Sequence, residues 1–86
     1  MPEIQTVDAE DEYIHVRFND PDRYETIRTP DWAADAASSV SEGSEVRTGK
    51  ERGSDDWEVQ SVLIPKDVGE DEARERAKEI AEKIEE

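Results

Sequence analysis

Ala73, Ala77, Ile80, Ala81 and Ile84 recur at i, i+4, i+7, i+8 and i+11 in this 86-residue sequence. That spacing gathers them on one face of an α-helix. Three of the five are alanines, so the face is shallow, and a helix with a shallow apolar face can lie close against a sheet. Gly69 stands at the cap position, and Glu70, Asp71 and Glu72 fill the first turn, where negative charge is favoured. Val68 and Ala73 have the spacing of a hydrophobic staple. The pairs Glu70–Arg74, Glu72–Arg76 and Glu79–Lys83 are i, i+4 with the acid first, each contributing about 0.2–0.5 kcal/mol.

Upstream the period changes. In EYIHVRF, Glu12 to Phe18, the residues Ile14, Val16 and Phe18 alternate with Tyr13, His15 and Arg17, as in a strand buried on one side. Asn19-Asp20-Pro21-Asp22 supplies turn chemistry, and Tyr24 to Thr29 is the expected partner strand. A shorter strand is expected over Ile4–Val7, with residues 1–11 the segment expected to be flexible. Thr29-Pro30-Asp31 starts a short helix running to Val40, with Trp32, Ala36 and Val40 as its expected buried face.

Glu45–Lys50 and Trp57–Ile64 then read as two strands joined by the polar loop ERGSDD. Strict alternation puts Trp57, Val59, Ser61 and Leu63 on one face and Val62 and Ile64 on the other. A strand apolar on both faces is central rather than edge. The order is (β)ββ-α-ββ-α in a single domain, residues 1–86. It predicts an α+β two-layer sandwich: an antiparallel sheet of 4–5 strands with two helices on one face. So small a core has little stability to spare, and self-association as a homodimer is expected to help.

Charge dominates the chemistry. Asp and Glu number 25 against 11 Lys and Arg, a net charge of −14. Residues 1–29 carry −5, residues 30–66 carry −4 and residues 67–86 carry −5. High charge with low hydrophobicity is also the signature of disorder, but here the apolar residues are patterned. An acidic coat spread this evenly repels itself unless concentrated salt screens it. Arg outnumbers Lys seven to four, and small residues cluster at Ala33, Ala34, Ala36, Ala37, Ser38 and Ser39. In these respects the composition resembles that of small cytoplasmic proteins of salt-accumulating, halophilic archaea. The resemblance implies a cytoplasmic protein that needs high salt to fold, and it points to no one family.

No stretch approaches the roughly 20 apolar residues of a membrane-spanning helix, so no membrane partner is expected. The acidic MPEIQTVDAEDE is unlike a targeting segment. With no cysteine, thiolate metal sites and disulfides are excluded. GSEVRTGKE, Gly43 to Glu51, superficially suggests a phosphate-binding loop. The spacing between its glycines is five residues rather than four, and Glu51 stands where a hydroxyl should hold magnesium. It reads instead as a hairpin arm, and no cofactor, dedicated metal site or catalytic group is expected.

Two groups of residues invite a binding role. Tyr13, His15, Arg17, Tyr24, Arg28 and Arg47 are expected to share one sheet face, an interleaving of aromatic and basic groups suited to base stacking and phosphate contact. Arg47, Lys50 and Arg52 lie within six residues, either as a local anion contact or paired with Asp55, Asp56 and Glu58 across the hairpin. Trp57 is expected in the core; Trp32, at the start of its helix, is expected on the buried face, with half exposure at an interface as the alternative. Functionally the sequence reads first as a non-enzymatic module that self-associates or docks on an unknown protein partner. The alternative is a nucleic-acid-binding domain using the Tyr/His/Arg face, against which the long-range field of a −14 chain counts.

Overall fold

The structure is a computed structural model, and it describes residues 3–85. Its elements run β1 (Thr6–Ala9), β2 (Tyr13–Arg17), β3 (Thr26–Arg28), α1 (Asp31–Val40), β4 (Glu45–Lys50), β5 (Trp57–Pro65) and α2 (Glu70–Glu85). Single 3-10 turns occupy Pro21–Arg23 and Lys66–Val68. The strands form one antiparallel sheet in the order β1-β2-β5-β4-β3. Both helices pack together and against the sheet, α1 on β4 and α2 on β5 and β2. This is the expected α+β architecture. The expected flexibility of residues 1–11 meets strand β1, which lies two residues beyond the Ile4–Val7 segment; residues 1 and 2 fall outside the described residues.

Sequence-adjacent β2 and β3 do not pair, contrary to expectation. Where β2 ends, Phe18 and Asn19 both donate their backbone N–H to the Gln60 carbonyl, at 2.9 and 3.2 Å. The chain is thereby held to β5, the most apolar strand, and the Pro21–Arg23 turn carries it across the end of the sheet to the far edge. There β3 pairs with β4, Ile27 opposite Gly49.

The expected faces of β5 are also corrected, and one residue is responsible. Arg47 stands opposite Ser61 and Thr48 opposite Val59, so Gln60 is an extra residue bulged out of the β4 ladder. A bulge shifts the period-2 alternation by one. Val59, Val62 and Ile64 therefore all enter the core, whereas Ser61 and Leu63 turn to the opposite face. The bulge is fastened by side chains: Gln60 Nε2 donates to the Asn19 carbonyl (2.8 Å), Asn19 Nδ2 to the Val59 carbonyl (3.2 Å), and Ser61 Oγ to Gln60 Oε1 (2.8 Å).

In α2 the expected stripe holds, with Ala73, Ala77, Ile80 and Ala81 buried and Ile84 packed at the margin. Burying one side chain the size of Ile80 contributes about 1.5–3 kcal/mol. The Gly69 carbonyl accepts the first helical N–H, that of Ala73, at 2.9 Å. Arg74 and Arg76 pair with Glu70 and Glu72 as expected. Lys83 does not take Glu79; its ammonium donates to Ser39 Oγ on α1, as Arg76 Nη1 does to Ser41 Oγ at 3.0 Å.

The buried face of α1 is Ala33 and Ala37, with Val40 partly buried. It is rotated by one residue, about 100°, from the Trp32–Ala36–Val40 face expected. Two alanine faces let α1 and α2 approach closely, and an indole between them would hold them apart. Trp32 is accordingly 53% exposed.

Candidate interaction surface

Pairing register fixes which residues share a face, because directly opposed residues project to the same side. Away from the helices one row runs Asp8–His15–Leu63–Glu45 and the next Thr6–Arg17–Ser61–Arg47. Tyr13 lies on this side too, opposite Pro65. Thus Tyr13, His15, Arg17 and Arg47 do share a face, though not as an open platform. His15 is only 4% exposed, and Arg17 is bound by the Asp8 carboxylate. The His15 ring buries Nε2 with no hydrogen-bond partner, and Nδ1 lies 3.8 Å from Glu10. Burial and the charges of Arg17 and Arg47 lower its pKa below 6.5, against the opposing pull of Glu10 and Asp8.

Tyr24 lies on this side too, but far from the others. Its ring covers Gly49 of β4 near the opposite edge, and Arg23 lies over it with the guanidinium carbon 5.8 Å from the ring centre. Burial, with the nearby carboxylate of Glu58, pushes its phenol up to about 12. Arg28, opposite Thr48, projects to the helix side. The structure therefore turns Arg28 away from the other five expected face residues, because its side-chain parity is set by β4, and it sets Tyr24 at the far edge of that face, because β3 is not beside β2.

Nor do Arg47, Lys50 and Arg52 converge. Arg47 faces away from the helices, Lys50 lies opposite Trp57 at the end of β4, and Arg52 sits in the hairpin turn. None of the three forms an ion pair with a described residue; Glu51 and Glu58 instead grip Arg23. The GSEVRTGKE segment is the hairpin arm expected, containing all of β4. Gly49 is required there by the Tyr24 ring rather than by phosphate.

The feature that sequence reasoning missed lies on the helix side at the β3 edge. Arg28, Pro30, Trp32, Thr48 and Trp57 line a groove of about 200 Å³. Trp57, expected in the core, is half-buried as its inner wall, and Trp32 in the first turn of α1 forms its rim. Thr48 is fully buried at its base and donates from Oγ1 to the Arg28 carbonyl at 3.0 Å. On the other side of Trp57 an open acidic cleft is walled by Glu51, Asp56, Glu58 and Glu85. Burial and the charge of Glu58 raise the Glu85 pKa there.

Ile27, 38% exposed, and Trp32 are the two large apolar side chains exposed among the described residues, the first within β3 and the second just after it in α1. The wide spacing of Ile27, Trp32 and Trp57 hid this grouping, and Trp32 itself was expected on the buried face of α1. No described helix is long and apolar enough to cross a membrane, and no three metal-ligating side chains converge among the described residues. Compared with protein-family models, curated proteins and solved structures, the chain matches none.

Proposed function

We propose that this chain is a non-enzymatic interaction module that makes its contact through the β3 edge. The observation that carries this reading is the exposure of Ile27 and Trp32 on either side of one open strand. A chain with 42% charged residues has ample means to keep its surface polar, so a large apolar pair left at one edge calls for a cover. Trp and Arg are also the side chains that most often anchor protein contacts, and Trp32, Trp57 and Arg28 meet in the adjoining groove. The nucleic-acid alternative draws its support from Tyr13, Arg17 and Arg47 alone, with Arg17 already held by Asp8.

The test places a photo-crosslinking residue at Thr29, beside the edge, or at Lys78, exposed on α2. Irradiation in concentrated salt, with host-cell extract present, should give a discrete heavier species from position 29 and none from 78. Ile27→Asp should abolish it. Equal labelling from both positions, or labelling indifferent to Ile27, would overturn the proposal.

A further inference from the structure

The two edges of the sheet are built differently. Around β1, residues 3–12 hold five carboxylates (Glu3, Asp8, Glu10, Asp11 and Glu12) and no cation. Charge of this kind is how sheets keep an edge from pairing with another strand. Around β3, residues 23–32 set Arg23 and Arg28 against Glu25 and Asp31 and are net neutral. In a chain of net −14 this is an electrically quiet stretch, and it carries Ile27 and Trp32 exposed.

We infer that the occupant of the β3 edge is a second copy of this chain, joined β3 to β3 antiparallel about a two-fold axis to make a continuous ten-stranded sheet. This names the partner for the surface proposed above and rests on that reading. Two arguments select a second copy. Net neutrality at β3 lets two molecules of like charge meet where their repulsion is weakest, whereas β1 against β1 would oppose ten carboxylates. Pairing of β3 with β1 would also repeat without closing and grow filaments, and the acidic β1 edge resists it. The remaining arrangement uses the same patch twice and closes at two.

Register follows from the faces. Centring the axis on Ile27 sets Ile27 against Ile27 of the second copy, on the side away from the helices, as its pairing with Gly49 requires. Thr26 and Arg28 then stand opposite each other across the junction on the helix side. Each Trp32 borders that junction, so the groove gains a wall from the second copy.

The absence of cysteine makes the test direct, since single cysteines can be introduced for spin labelling. In the full chain in concentrated KCl, Thr29→Cys labels should report a Cα separation of about 14 Å between copies, and Thr6→Cys labels more than about 40 Å. Sedimentation should give twice the monomer mass, falling to monomer for Ile27→Lys and unchanged for Thr6→Lys, with circular dichroism confirming that both fold. A monomer at every concentration, or close labels at Thr6, would overturn the inference. If the chain is monomeric but position 29 still crosslinks to another protein in an Ile27-dependent way, the interaction surface stands and the second copy is excluded.

Discussion

The Tyr24 ring lies against the Gly49 backbone so closely that a Cβ at position 49 would overlap it. Gly49 has no positive φ, so its lack of a side chain serves contact and not backbone conformation. It is also the central residue of β4 in the pairing with β3, opposite Ile27. Gly49→Ala should therefore force the ring off the sheet and loosen the β3 edge. Overpacking of this kind costs about 1–3 kcal/mol. Urea unfolding should show that loss in the parent chain and little of it in a Tyr24→Ala background, where the obstructing ring is gone.

Alanine at the helix–helix contact is a second place where smallness is the structural requirement. Ala37 of α1 and Ala77 of α2 are both fully buried. Leucine at either position is hydrophobic and a good helix former, yet it should separate the helices from each other or from the sheet. Ala77→Leu is expected to lower unfolding free energy by about 1–3 kcal/mol, whereas Lys78→Leu, one residue along on an exposed position, should change it by less than about 0.5 kcal/mol. Equal effects at the two positions would contradict the packing described.

These two cases also show how far the sequence could be read. The α2 stripe was legible because five residues agree on one helical face, and the β4–β5 hairpin because two extended runs flank a polar, glycine-containing loop. For α1 the large indole drew the face toward Trp32, although the tolerance for close approach, a property of the partner helix, decides in favour of Ala33 and Ala37. Along β5 the alternation reads correctly until Gln60, whose bulge depends on hydrogen bonds to Asn19, 41 residues earlier. The position of β3 was illegible for the same reason: nothing local to Thr26–Arg28 says that its partner is Thr48–Lys50. The groove between Trp32 and Trp57 inherits that difficulty, since it exists only once β3 has crossed to the far edge.

His15 should make the fold sensitive to acid. Its ring is buried and its pKa is lowered from 6.5 by that burial, then by Arg17 and Arg47, with Glu10 and Asp8 opposing. The folded protein thus holds its histidine proton less tightly than the unfolded chain does. Stability is full above pH 6.5 and declines as pH falls below that value toward the lowered folded pKa, because the unfolded state binds the proton first. His15→Gln, which does not titrate, should flatten the unfolding free energy between about pH 7 and pH 5.5 relative to the parent. A parent stability that rises as pH is lowered through this window, with the rise lost in His15→Gln, would mean that folding raises the His15 pKa instead of lowering it.

Salt should act on the whole molecule in the other sense. The excess carboxylates are spread through every segment, and five ion pairs with arginine engage only part of them among the described residues. Compaction brings the remainder closer together than they stand in an unfolded chain, so their mutual repulsion opposes folding. Screening shortens its range from about 10 Å at 0.1 M to about 3 Å at 1 M salt. The unfolding midpoint should rise steadily as KCl approaches the molar range, and unequally across variants. Glu85→Gln, which removes a carboxylate already disfavoured by burial and by Glu58, should raise the midpoint in dilute salt more than in concentrated salt. If the two curves stay parallel from dilute buffer to concentrated KCl, repulsion at the acidic cleft is not what limits this fold.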